Sequence, residues 1–356
     1  MYKRMSIATI TSITAVSLLH KYNNQSKSDS IYHPFTEKQK VTILGQGWLC
    51  KGFMDHIDTK KFNITNIYQD KFIVTSQILK VINTKLGKRD KKNDNNDCEY
   101  INKTITNINV ENSSIQLKDN NKLESYDFTG HILVCGLGDN TPIKTWCAKI
   151  DDINNGLNLE QHDFAIVGAG ITGTELAFHL YDEMKCITLY EGLEHPYTFL
   201  PDRLRKYIRR RLYRFDIDII HNTFYKKEYD EKYDLVVYAI GSRPNDLTKE
   251  WTQDKWLNLI KGGKVYHNIY YGGNCVWNTK LSENGDLPNY NAQIAYDQGK
   301  HIATQLNTNK TKSYRNKQFI HSLYVGNNFH ALYMNNVNAY IIIPSYFIDW
   351  YHGMFY

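Results

Sequence analysis

No Cys-x-x-Cys occurs in this chain, nor any close cysteine pair: Cys50, Cys98, Cys135, Cys147, Cys186 and Cys275 are scattered along it. The scatter excludes a sequence-local redox dithiol and argues against a disulfide framework or a cysteine-rich zinc site, which points to a reducing compartment. Acids are missing from residues 1–21, which open on Lys3 and Arg4 and run through a Ser- and Thr-containing stretch from Met5 to Leu19. That stretch is shorter than the about 20 residues a comfortable membrane span needs. A mitochondrial-type presequence is the first expectation, with a signal peptide, a short membrane anchor and a plain disordered terminus as alternatives. Charge of one sign is also scarce, at a net +6. The basic residues concentrate between Arg203 and Arg214, with Leu200, Leu204, Ile208 and Leu212 marking the opposite, apolar face of a helix. This face reads as a solvated helix surface or as a patch for an anionic membrane or nucleic acid; a lack of aromatic interleaving disfavours nucleic acid, and no nucleic-acid partner is expected.

What is present is ordinary core material, 42% hydrophobic over 356 residues, enough for two or three domains. Phe164-Ala-Ile-Val167 reads as a buried strand running into Gly168-Ala-Gly170-Ile-Thr-Gly173. Leu176, Leu180 and Met184 then give a helical stripe, and Cys186–Tyr190 a second strand ending in Glu191. In such a βαβ unit Gly168 permits the tight turn, Gly170 lets a pyrophosphate approach the backbone, and Gly173 allows close helix–strand packing. An acid about 20 residues past the fingerprint accepts hydrogen bonds from a ribose and repels a 2′-phosphate, so Glu191 favours NAD(H) over NADP(H).

A second fingerprint opens the globular part: Val41–Leu44 leads into Gly45-Gln-Gly47-Trp48-Leu-Cys50, with Cys50 in place of the third glycine. Phe62–Ile67 is the next strand, and Asp70 is the nearest acid for its ribose. Residues 85–97 are charged and of low complexity, a solvated loop. Residues 100–126 alternate as a meander before Ile132–Cys135 returns to the sheet and turns at Gly136-Leu-Gly138. Leu235–Ile240 with Gly241 is the equivalent return after the other fingerprint. Each half reads as fingerprint, strand, meander, strand and glycine turn, an internal duplication of dinucleotide-binding domains. Lys264–Tyr271 into Gly273-Asn274, with a helix headed by Ala292-Gln293, is placed back in the first domain.

The chain resembles the two-dinucleotide flavoprotein oxidoreductases, and within them type II NADH dehydrogenase, the single-subunit NADH:quinone oxidoreductase. Three stretches carry the resemblance: Gly45-Gln-Gly47-Trp48; Gly168-Ala-Gly-Ile-Thr-Gly173-Thr-Glu175; and Ala292-Gln293-Ile-Ala295-Tyr-Asp-Gln298-Gly299. The resemblance spans roughly residues 41–325 and implies an α/β fold of two Rossmann-like domains, the NAD domain inserted in a discontinuous FAD domain. The boundaries expected are 1–40 for a targeting-like segment and linker, 41–150 and 263–325 for the FAD domain, 151–262 for the NAD domain and 326–356 for a C-terminal aromatic segment. It further implies FAD and NADH as cofactors, Glu175 near the nicotinamide, Gln293 near the flavin and quinone, and hydride transfer to flavin followed by two-electron transfer to quinone.

Departures from the pattern are Asn274, where the family has an aspartate for the flavin ribityl chain, together with Cys50 and Gly136-Leu-Gly138; they imply weaker flavin retention. The alternatives are an apoptosis-inducing-factor-like NAD(P)H oxidoreductase with another acceptor and a non-catalytic nucleotide-binding relic. Relatives that reduce disulfides are disfavoured by the missing dithiol. After Pro344, the aromatic residues Tyr346, Phe347, Trp350, Tyr351 and Phe355 fall with Met354 on one helical face, suited either to a bilayer interface or to packing on the protein itself or a second subunit. A peripheral membrane enzyme, with the mitochondrial inner membrane as first location and a homodimer as a further expectation, completes the reading.

Overall fold

Two central sheets, the first mixed and the second all parallel, carry the molecule, and each is ordered around the strand that feeds a glycine fingerprint. The computed structural model describes residues 37–68, 98–120, 122–135, 163–181, 186–194, 200–226, 231–239, 246–273, 292–315, 320–334 and 339–347. Asp70, Gly136, Gly241 and Asn274 lie outside the described residues, as do residues 1–36, the 85–97 loop and the aromatic positions beyond Phe347.

The first sheet contains β1 (Gln39–Leu44), β2 (Phe62–Tyr68), β3 (Cys98–Asn102), β7 (His131–Val134), β12 (Thr252–Gln253), β13 (Asn258–Lys261) and β14 (Lys264–Tyr271), in the order β12-β13-β14-β7-β1-β2-β3. β1 is parallel to β2 on one side and to β7 on the other, so the order reverses at its carboxyl end. Its last four residues are buried, which is why Val41–Leu44 is a continuous apolar run and not an alternating one. β14 joins β7 in parallel, Tyr271 opposite Val134, and returns the chain to this sheet after the whole second unit has been traversed.

Helices α1 (Trp48–Met54) and α4 (Ala292–Thr308) cover one face, with Leu49, Phe53, Ala295 and Ile302 in a single core. The antiparallel meander of β4 (Thr104–Asn109), β5 (Ser114–Asp119) and β6 (Lys122–Asp127) covers the other, burying Ile108, Ile115 and Leu117. The expected meander therefore begins at Thr104; residues 98–102 belong to the parallel sheet as its edge.

The second sheet has the order β10-β9-β8-β11, built from β8 (Asp163–Val167), β9 (Cys186–Tyr190), β10 (Ile217–Ile220) and β11 (Leu235–Tyr238), all parallel. α2 (Ile171–Leu180) crosses from β8 to β9, and α3 (Asp202–Arg214) from β9 to β10. The second half thus departs from the expected plan: among the described residues a helical crossover replaces the meander between β9 and β11. α3 is specified locally. Leu204, Ile208 and Leu212 form its buried stripe, Asp202 complements the dipole at its start, and Arg211 and Arg214 do so at its end.

The C-terminal part also differs from expectation. β15 (Ile320–Tyr324), β16 (Phe329–Met334) and β17 (Ala339–Pro344) form an antiparallel sheet whose Leu323, Ala331 and Tyr333 share one core with Phe164, Ile166, Leu204 and Ile208. Leu323, Tyr324 and Val325, at the end of the range expected for the first domain, therefore pack with the second nucleotide-binding sheet. The alternating inward residues of β15 and β16 find their apolar partner on α2 and α3, far away in sequence.

Candidate nucleotide and flavin sites

The two fingerprints fold alike. Gly45 and Gly168 each follow the central strand in the left-handed region, with φ of 100° and 101°, where a side chain would be strained. Each turn is tied to the neighbouring strand: Gly45 N–H donates to Ile67 O at 2.7 Å, and Gly168 N–H to Tyr190 O at 2.8 Å. Helices then begin with Gly47 and Gly170 as extended N-caps and no side-chain cap, leaving first-turn N–H groups for an anion.

At the second fingerprint the glycine spacing has a direct steric meaning. A Cβ on Gly173 would lie 1.9 Å from Gly168 O, whereas one on Gly170 would meet nothing within 4 Å. The third glycine is filled by packing and the second faces open space, the cradle a pyrophosphate requires. Glu191 stands at the end of β9 with its carboxylate turned to the loop: Oε2 accepts from Ala169 N–H at 3.1 Å and Oε1 from Leu193 N–H at 2.9 Å. Each oxygen keeps acceptor capacity for a ribose hydroxyl. Beside it, Phe224 is 79% exposed and Leu193 60% exposed, and the Phe224 ring lies so close over Gly192 that a Cβ there would be 2.8 Å from Cε1. This apolar shelf can take the flat face of an adenine. Its signal in the sequence is weak, a lone aromatic in an irregular stretch.

At the first fingerprint three distant stretches converge. Cys135 N–H donates to Leu44 O and Gly272 N–H to Val134 O, which brings the ends of β1, β7 and β14 side by side. Cys50 is buried in the third-glycine position, its Sγ 3.6 Å from Asn66 Nδ2, and Trp48 packs against the same core. Gly273, with φ of 74°, donates its N–H to Gln298 Oε1 at 2.8 Å, and Gln298 is only 2% exposed. The segment that opens at Ala292 is thus anchored to the strand end that precedes Asn274. Gly299 completes the junction, since a Cβ there would sit 2.0 Å from Leu49 O. Gln293 is partly buried, and its Nε2 donates to Asp297 Oδ1 at 3.2 Å. The structural role of Gln298 was not read from the sequence; its place in the motif that contains Ala292 and Gln293 is the signal that would have found it.

The fold is shared with known enzymes. The model of the pyridine nucleotide-disulphide oxidoreductases matches residues 39–299. This chain belongs to that family. Members use FAD and a nicotinamide nucleotide, and both glycine cradles described above suit those groups. No curated protein sequence matches the chain. Among solved structures, NDH2 from Plasmodium falciparum in complex with NADH superposes with a TM-score of 0.68 at 14% identity, over 89% of this chain and 94% of that one. NADH:rubredoxin oxidoreductase from Clostridium acetobutylicum gives 0.63 at 20% identity, over 83% and 82%. The NAD-dependent persulfide reductase from A. fulgidus gives 0.66 at 16% identity over 82% of this chain, which spans 63% of its length.

Among the described residues Cys50 and Cys135 are buried, and burial pushes the Cys98 thiol up to about 11, far from the thiolate that disulfide exchange needs. The described residues contain no His, Cys, Asp and Glu cluster able to hold a metal ion.

Glu175 lies one turn into α2, beyond the first turn that a helix-dipole role would require. Its Oε1 accepts the Tyr324 N–H at 3.0 Å and so satisfies a group on the outer side of β15. Desolvation outweighs this bond and raises the carboxyl to about 7. His179, one turn on, stacks on the Tyr324 ring at 3.9 Å and is lowered to about 4, by burial first and then by the charge of His330. Glu175 therefore links the helix of the second fingerprint to the C-terminal sheet.

Proposed function

We propose that this enzyme oxidises NADH and delivers two electrons to a quinone. FAD bound at the first cradle would supply the hydride-accepting, two-electron chemistry. The chain's own residues would bind and orient: the α1 N-terminus and the Gly272–Gly273 turn would hold the flavin side, while Gly168–Gly173, Glu191 and the Phe224 shelf would hold the dinucleotide. Glu175, whose Oε1 accepts the Tyr324 N–H, ties the helix of this cradle to β15, and Gln293 would stand at the flavin and quinone side.

One observation carries the quinone as acceptor: the Ala292–Gly299 stretch, the most specific part of the resemblance to type II NADH dehydrogenase, is locked onto the first fingerprint through Gln298 and Gly299. The cysteine chemistry points the same way, since the Cys98 thiol is held protonated and no sequence-local dithiol exists. Glu191 favours NADH over NADPH. The test compares turnover of NADH with a short-chain quinone and with a water-soluble dye. Quinone-dependent turnover lost in a Gln293→Ala variant supports the reading; dye reduction with no response to quinone refutes it.

A further inference from the structure

α3 carries seven Lys and Arg residues and one acid. Arg205 pairs with Asp202, and Arg211 is spent inside the structure, donating from Nε to Val325 O and from a terminal nitrogen to Gly326 O, both at 3.0 Å. Arg203, Lys206, Arg210 and Arg214 remain exposed at spacings of three and four residues, a single stripe about 16 Å long. Like charges four residues apart on a helix destabilise it. Within the stripe Tyr213 is 86% exposed, so the face carries an aromatic that the sequence reading did not credit.

The stripe has an apolar flank. Arg211 fixes the Val325–Gly326 turn, and Ser345 N–H donates to Asn328 O in that same turn at 2.7 Å. Tyr346 and Phe347 follow, both exposed and with ring centroids 4.2 Å apart. Among the described residues no helix is long and apolar enough to cross a membrane.

We propose that the exposed face of α3, with the Tyr346–Phe347 corner beside it, docks on an anionic phospholipid surface. Basic side chains meet the headgroups, and the aromatic rings sit at the headgroup–acyl boundary. A single-stranded nucleic acid fits less well, because its binders line a basic groove with successive stacking rings, whereas here Tyr213 is the one large exposed ring of the α3 stripe and Tyr346 and Phe347 stand at its flank. An acidic electron carrier fits less well because α3 belongs to the dinucleotide-binding sheet and not to the flavin cradle. The inference rests on the quinone reading, which brings the enzyme to a membrane, but vesicle binding is measured without NADH or quinone, so failure of one is distinguishable from failure of the other.

The experiment is sedimentation of the full chain with phosphatidylcholine vesicles, with and without phosphatidylserine. Binding is expected only with phosphatidylserine and should weaken with salt. Each removed charge should cost about fivefold, so the quadruple variant R203Q/K206Q/R210Q/R214Q should bind on the order of several hundredfold more weakly. A urea midpoint no lower than the wild type's reports that it folds. Tyr213→Ala should weaken binding at every salt concentration. Equal binding of the quadruple variant, absence of binding to anionic vesicles, or capture of single-stranded DNA in place of vesicles overturns the proposal.

Discussion

The Glu175 carboxyl allows a sharp test of how α2 and β15 meet. Glu175→Gln keeps an oxygen to accept the Tyr324 N–H and removes only the titration. In the wild type, folded and unfolded Glu175 are both protonated well below pH 4.5, and the site imposes no penalty there. As pH rises from 4.5 towards 7 the unfolded chain ionises while the folded carboxyl, held at about 7, keeps its proton, so stability falls across that window. The difference between 4.5 and about 7, at 1.36 kcal/mol per pH unit, corresponds to about 3 kcal/mol of stability present at acid pH and lost above pH 7. His179 acts oppositely: its lowered pKa gives stability that is present above 6.5 and lost as pH falls through about 4. Because His179 stays in both proteins, the contrast between them isolates Glu175. Urea unfolding of wild type and Glu175→Gln from pH 4 to 8 should show the variant gaining on the wild type by about 3 kcal/mol between pH 4.5 and 7, then a plateau. A difference that stays flat across this range would show a solvated, ionised carboxyl and refute the enclosure.

Glu191→Ala removes the acceptor for two loop N–H groups and for the ribose, so NADH affinity should fall about tenfold or more, with NADPH hurt less, as read by fluorescence titration. Phe224→Ala should weaken NADH binding about fivefold while leaving the urea midpoint unchanged, because the ring is exposed in the free protein. Gly299→Ala forces a Cβ to within 2.0 Å of Leu49 O; separation of α1 from α4 should cost about 1–3 kcal/mol in urea unfolding and lower the FAD content of the purified protein.

The strands that feed the fingerprints were legible because parallel, doubly buried strands are continuous apolar runs, and Val41–Leu44 and Phe164–Val167 have no other reading beside a glycine turn. The return of β14 to the first sheet was legible from its glycine turn and the helix that follows, since the strand itself, Lys264–Tyr271, is not a continuous apolar run. The C-terminal sheet was not. Its inward residues alternate weakly, and their partners on α2 and α3 are set by a contact that joins residue 175 to residue 324. The supposed meander of the second half failed because α3 already occupied the crossover between parallel β9 and β10. The turn, helix-start and strand-end geometry of Gly168, Gly170, Gly173 and Glu191 was readable from spacing alone. Gln298 and Phe224 were not, because each acts through a neighbour, Gly273 and Gly192, that only the folded chain brings to it.

The central claim is that both cradles are filled and work together, and an anaerobic absorption titration tests it most directly. The purified protein, supplied with FAD and freed of excess, should show flavin bands that bleach on addition of NADH and return when a short-chain quinone is added. A protein that stays colourless after incubation with FAD, or a flavin that NADH leaves unbleached, would contradict the account.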